Sequence, residues 1–417
     1  MASTRWTLAL IALAIAMIAG HRGPDEARGA SGAGGEERAF TLLGRAQEAA
    51  RTCDATGAAT TLREALRLDP ANPEIARELR GLVARAGLEP TPDERQIEDL
   101  VRTLGPGFRR TETKRFVVLS NASTSWTRER ERLLERTYHE VMKFAERIGL
   151  PCVPPERKLV VVLFAEHADY RRFARSHDGV EAGWVAGYYA SVPNHAVFYD
   201  DQTSPAFARA HAELDEVERE ADDARRAAML RNHPSPGVMV ERARTLEDHA
   251  KTQRERLEEQ ALSASMAKTT HEAAHLIAFN TNIQLRSRHY PFWITEGFAI
   301  CFETDDPSRP FNPSRADPRR EAHLDELIAS DALVPAAEFV GRTEAVGSDP
   351  SSVRAQYTQA WAMFKDASRY RKDELVALFA DIARAPAGRM DEQTHGRLFE
   401  GRFGDPASHA RAMLRRR

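Results

Sequence analysis

Residues 266–279 read Met-Ala-Lys-Thr-Thr-His-Glu-Ala-Ala-His-Leu-Ile-Ala-Phe, and the rest of the chain is best read outward from them. Alanine, leucine, lysine and methionine favour a helix over this run. On a helix, His271 and His275 lie one turn apart on one face, so both imidazoles can reach a single metal ion. Neutral imidazole suits Zn²⁺, which takes three protein ligands and a water in catalytic sites. Glu272 falls between the two histidines and can serve such a water as general base. A third ligand is expected from a second helix. The run Pro291-Phe-Trp-Ile-Thr-Glu296-Gly-Phe-Ala-Ile-Cys-Phe-Glu303 offers Glu296, 21 residues beyond His275. Its neighbours are apolar, and an unpaired carboxylate among them is costly; a cation supplies the missing counter-charge.

Upstream of this helix pair the chain alternates between strand and helix patterns. Arg115–Ser120 is a strand candidate. Ser123–Ile148 is a long amphipathic helix with Trp126, Leu133, Leu134, Tyr138, Val141, Met142 and Phe144 on its apolar face. Lys158–Phe164 is a continuous apolar run, as in a buried central strand. His167–His177 reads as a short helix. Gly187–Ala190 and His195–Tyr199 read as a hairpin about Pro193-Asn194, with His195 as a turn residue. The sum is an α+β fold: a small mixed sheet plus a helical core that carries the metal motif, expected over residues 110–384. Residues 205–260 interrupt it with dense mixed charge. They read as two antiparallel helices joined by a turn at Asn232-His-Pro-Ser-Pro-Gly237, a solvated helical-hairpin insertion.

The flanks are simpler. Arg5 precedes an apolar run from Trp6 to Gly20, which is the pattern of a secretory signal or, uncleaved, of an N-terminal anchor; residues 1–20 are assigned to it and the chain is expected to be exported. Residues 21–37 read as a flexible linker. Residues 38–90 are helical, and the Leu68-Asp69-Pro70 to Asn72-Pro73 join resembles that between tetratricopeptide-repeat helices. So short a repeat-like segment is expected to pack on its neighbour, as a helical cap or as a docking surface for a protein partner. Residues 385–417 read as a helical tail with a solvated triple-arginine end. A length of 417 residues suggests two or three domains, and a net charge of -3 excludes a strongly basic nucleic-acid binder. Three cysteines are too few and too scattered for a disulfide scaffold or a cysteine-based zinc finger.

His271-Glu-Ala-Ala-His275 followed by Trp293-Ile-Thr-Glu296-Gly-Phe-Ala299 resembles the gluzincin zinc metallopeptidases of the peptidase-MA-like group. It is closer still to an uncharacterised domain family abundant in exported planctomycete proteins, whose strand before the motif is similar to Ala186-Gly187-Tyr188-Tyr189. The resemblance spans roughly residues 115–384. It implies His271, His275 and Glu296 as zinc ligands, Glu272 as general base and a peptide or protein as substrate. Gluzincins often carry an acidic residue one turn after the ligand glutamate, to orient a ligand histidine. Here Ile300 stands at that position, and Glu303, two turns on, is a candidate for the role. Cys301 is expected to point away from the metal. A tyrosine or histidine downstream stabilises the oxyanion in related enzymes. Tyr357 is similarly placed, with His289 and Tyr290 as alternatives. The competing reading is a catalytically silent scaffold that binds partners through the repeat-like segment.

Overall fold

The computed structural model describes residues 33–181, 186–230, 234–347 and 349–416. The apolar run at Trp6–Gly20 and the start of the Asn232–Gly237 turn lie outside them. The first described elements are helices α1 (Ala33–Arg51), α2 (Ala55–Leu68) and α3 (Pro73–Ala86). Residues 33–37, read above as linker, are therefore helical. Ala39, Leu43 and Ala46 bury one face of α1 in a small core with Leu62, Leu66, Ile75 and Leu79, and that packing holds the helix. Asn72 caps α3 through its side-chain oxygen, which accepts the N–H groups of Glu74 and Ile75 at 3.0 and 3.2 Å, with Pro73 at the first helical position. These helices are bonded to the body. Arg80 donates to the Cys152 carbonyl at 2.6 Å, and the Asn282 amide donates to the carbonyls of Pro70 and Pro151 at 2.9 and 2.7 Å.

After α4 (Glu94–Leu104) come strands β1 (Arg109–Glu112) and β2 (Phe116–Ser120), helix α5 (Thr124–Ile148), β3 (Leu159–Phe164), α6 (His167–Ser176), β4 (Gly187–Ala190) and β5 (His195–Tyr199). The sheet order is β1-β2-β3-β5-β4. Its three middle strands are parallel, with Phe116 opposite Leu159 and Val160 opposite His195, and both edge strands are antiparallel to their neighbours. Strand β1 gave no hydrophobic signal because it is Arg-Arg-Thr-Glu and exposed throughout, as suits a charged sheet edge. His195 is not a turn residue. It is fully buried in β5 with Nε2 2.9 Å from Asp178 Oδ2, and the turn is made by Asn194 at φ 58°. Alternate residues of β2 and β3 feed two cores. Phe116, Val118, Val161 and Leu163 pack with α5, while Val117, Leu119, Val160 and Val162 pack with α4 and α6.

A short 3₁₀ turn (Asp201–Thr203) leads to α7 (Pro205–Ala228) and α8 (Pro236–Asn280). The second helix of the expected insertion and the metal-motif helix are one continuous 45-residue helix, with no break at residue 260. Over the hairpin, α7 and α8 meet along a thin seam of Ala221, Ala224, Ala243 and Ala250, flanked by ion pairs such as Arg254–Asp215 at 3.0 Å and Arg254–Glu218 at 2.9 Å. Towards its C-terminus the helix enters the body, and every residue from Lys268 to Ala278 is buried. Helices α9 (Phe292–Ile300), α10 (Pro318–Ala329), α11 (Ala336–Phe339), α12 (Pro350–Tyr370), α13 (Lys372–Arg384), α14 (Glu392–Phe403) and α15 (Pro406–Arg415) complete the fold. The C-terminal tail is part of the main core: Phe399 and Phe403 meet Trp293 edge-on at 5.8 and 6.1 Å. Its end is not simply solvated either, since Arg416 donates to the buried Asp366 carboxylate at 2.9 and 2.6 Å.

Gly297, directly after Glu296, lets α9 lie against α12. A Cβ there would sit 2.4 Å from the Ala360 carbonyl oxygen and 2.8 Å from Phe364 Cβ. Gly297→Ala should therefore destabilise the protein by about 1–3 kcal/mol, the usual cost of overpacking, read by denaturant unfolding. An unchanged unfolding midpoint would mean that the two helices are not so tightly apposed.

Candidate metal centre

Two helices bring the ligand set together. His271 and His275 project from one face of α8, and Glu296 projects from α9 opposite them. His271 Nε2 lies 3.1 Å from His275 Nε2 and 3.2 Å from Glu296 Oε2, and His275 Nε2 lies 3.5 Å from Glu296 Oε1. All three residues are buried, and their ligand atoms fall within 4.8 Å of one another. The sequence-predicted trio is thus assembled as expected, in a form that can hold a metal ion.

The hydrogen bonding around the trio shows what it lacks. His271 Nδ1 is 2.9 Å from Glu303 Oε1, and Arg320 of α10 is bonded to the other Glu303 oxygen. With Nδ1–H donating to Glu303, the Nε2 lone pair of His271 faces the His275 ring nitrogen and the Glu296 carboxylate. Acceptors then converge on one point, and a positive charge is needed between them. The electrostatics agree. Burial pulls His271 down, but bonds to Glu296 and Glu303 outweigh it and hold the imidazole at about 10. Burial likewise raises Glu296, yet the His275 and His271 rings outweigh it and keep the carboxyl at about 2. Burial lowers His275, whose Nδ1 has no hydrogen-bond partner among the described residues. A divalent cation can replace the proton that the cluster otherwise holds.

Glu272 stands beside the trio and is not one of its members. Burial pushes its carboxyl up to about 8, the His271 charge works against that rise, and the backbone N–H of Tyr189 in edge strand β4 lies against it. Its Oε1 has no hydrogen-bond partner among the described residues. Tyr357, on α12, is also brought close. Its phenol is pushed well up by burial, then by the Glu296, Glu272 and Glu303 carboxylates, so it stays protonated as a donor. Its ring meets Phe292 edge-on at 5.1 Å. His289 and Tyr290 are engaged elsewhere, His289 with the Met390 carbonyl at 3.4 Å and Tyr290 as acceptor of the Leu285 N–H at 3.0 Å. Cys301 is buried outside the trio.

Glu303 makes the contact with His271 that Ile300 cannot. Helix α9 stops at Ile300, and tighter bonds follow it, from Phe302 N–H to Ala299 and from Glu303 N–H to Ile300, at 3.0 and 3.1 Å. Arg320 was not foreseen, because no local spacing links an arginine on α10 to this site. Glu303→Gln should leave the fold intact but weaken metal binding by roughly 10–100-fold, measured by chelator competition. Undiminished affinity would make the Glu303 contact incidental.

Residues 265–387 match the model of a family described only as a protein of unknown function (DUF1570). The match runs from the C-terminal part of α8 through α13, so it contains every residue of the site except those of β4. No curated protein and no solved structure matches the chain.

Proposed function

We propose that this protein is a zinc-dependent hydrolase acting on peptide bonds. The observation that carries the reading is a buried three-ligand trio with a fourth group, Glu272, poised beside it with one carboxylate oxygen unpartnered. Two imidazoles and one carboxylate are the donor set of catalytic rather than structural zinc. The separations of 3.1, 3.2 and 3.5 Å between ligand atoms are close to the edge of roughly 3.3 Å that bonds of about 2.0–2.1 Å give in a tetrahedron. When bound, zinc would polarise the scissile carbonyl and acidify a water.

The chain's own residues would do the rest. Glu272, beside the trio with one oxygen unpartnered among the described residues, can take a proton from the attacking water and return it to the leaving amine. The Tyr357 phenol would donate a hydrogen bond to the developing oxyanion. Among the described residues strand β4 pairs with a strand on one side only, and its Tyr189 N–H lies against Glu272; an extended substrate would add along the other edge. The apolar run at 6–20 fits export or tethering outside the cytoplasm.

Metal content is the first test. The purified protein should carry about one zinc, lost in His271→Ala and Glu296→Ala. Glu272→Gln should keep the zinc and lose peptide turnover by about 10²–10⁴-fold. No bound metal after zinc reconstitution would overturn the enzyme reading and leave a partner-binding scaffold as its replacement.

A further inference from the structure

One buried cation in the described structure has no hydrogen-bond acceptor. Arg130, in the second turn of α5, is fully buried, and its Nε, Nη1 and Nη2 all lack partners. Its guanidinium lies 4.9 Å from the centre of the Trp126 ring, which covers one face. A guanidinium keeps its proton and carries five N–H donors, so burying it without acceptors costs more than one ring contact returns. Three acids act on it electrostatically, its chain neighbour Glu129 first and then Asp201 and Asp200, yet none accepts a hydrogen bond from it, and the two aspartates are committed elsewhere. Lys268 Nζ bonds both Asp201 oxygens, at 2.8 and 2.7 Å, and Asp200 Oδ1 accepts the Gln202 N–H at 3.1 Å.

The position of this arginine in the fold suggests what it holds. Strands β2, β3 and β5 are parallel, so Ser120, Phe164 and Tyr199 end at one margin of the sheet, and α5, α6 and the 3₁₀ turn before α7 begin there. Ligands of such sheets gather outside the carboxyl ends of the strands. The first turn of α5 is fixed to that margin by Thr127, whose hydroxyl is 2.8 Å from that of Ser120. Lys268, with Nζ 4.3 Å above the Tyr199 ring, sits one helical turn before Glu272 on the same face of α8. The Tyr170 phenol, raised first by burial, feels both Glu272 and Asp201. The tract Arg130–Asp201–Lys268 therefore leads towards the proposed general base.

We propose that Arg130 recognises a carboxylate of the substrate beside the metal centre, a proposal that rests on the peptide-hydrolase reading. A carboxylate is planar with two oxygens, and it meets the guanidinium fork in a paired, charge-assisted contact. On a peptide it is either the C-terminal carboxylate or an Asp or Glu side chain. Trp126, half-buried, stacks on one face of the guanidinium, while the N–H donors for a paired contact lie in the guanidinium plane.

The test begins with binding, independent of turnover. Succinate and inorganic phosphate are titrated into the zinc-loaded protein, with thermal unfolding and tryptophan fluorescence as readouts and Trp126→Phe as the fluorescence control. Succinate should raise the midpoint of unfolding, and Arg130→Met should weaken its binding about 10–100-fold without changing zinc content. Arg130→Lys keeps the charge without the fork, should lose most of the effect, and decides the matter should the Met variant not fold. Steady-state kinetics then compare a peptide with its C-terminal amide, and a Glu-containing peptide with its Gln counterpart. The pair that loses its preference in Arg130→Met, through KM with kcat retained, identifies which carboxylate is bound. An equal succinate response in wild type and both variants would overturn the site, as would its absence in all three. Tighter binding of phosphate would replace the carboxylate with a phosphate-bearing ligand. Succinate binding through Arg130 in a protein that cleaves no peptide would sink the hydrolase reading while leaving the carboxylate site in place.

Discussion

Five ionisable side chains, His271, Glu272, His275, Glu296 and Glu303, lie in or against the main apolar core, and the rest of the structure is arranged around the cost of putting them there. A carboxylate withdrawn from water is tolerated only with partners that return most of its lost solvation. Three separate elements supply them. Helix α8 provides both imidazoles, helix α10 provides Arg320 against Glu303, and strand β4 turns a backbone N–H towards Glu272. Removing one member exposes the others to an uncompensated charge, so the centre is a single unit that spans the junction of sheet and helices.

Holding those elements in register requires a stiff surround. Helix α9 is buried along its whole length; the Phe298 ring meets those of Phe302 and Phe364, and all three meet Phe144 of α5, at centroid distances between 4.9 and 6.4 Å. Trp293, on the same helix, is clamped by two rings of α14. Dense aromatic packing of this kind leaves little freedom for Glu296 to swing away from the histidines. The absent side chain at Gly297 is part of the same arrangement, since it sets how close the α9 backbone comes to α12.

Much of this was legible in the sequence, for a physical reason. A ligand pair at i and i+4 is encoded by helix periodicity alone, and an acidic residue within an apolar helix advertises its need for a counter-charge. The buried strands β2 and β3 announced themselves as unbroken apolar runs. What stayed hidden depends on tertiary position. Strand β1 is a strand only because β2 offers it an edge. The hairpin and the motif helix merge into α8 because nothing at residue 260 breaks a helix, although the composition changes there. His195 looked like a turn residue because Pro193-Asn194 precede it, yet Asp178 gives its ring a buried partner. Arg416 looked solvated until Asp366 was found beneath it. Arg320 and Arg130 are arginines among many, and only the structure distinguishes one that is paired at the centre from one that has no hydrogen-bond acceptor among the described residues.

The proton balance of the centre ties its stability to its ligand. The imidazole of His271 is held at about 10, above its ordinary value of 6.5, through the carboxylates of Glu296 and Glu303. In the metal-free protein this interaction stabilises the fold in full below the unfolded value and is lost as pH rises through about 10. The stabilising proton occupies the region where a metal ion would be held, so proton and metal compete. Acid favours the proton, and rising pH favours the cation, which brings more charge to the same lone pairs. A site of this design need not be loosely folded when metal-free, because a proton on His271 already meets part of its electrostatic demand. A divalent cation at the same point would bring a second positive charge within reach of His275 and Glu296 as well.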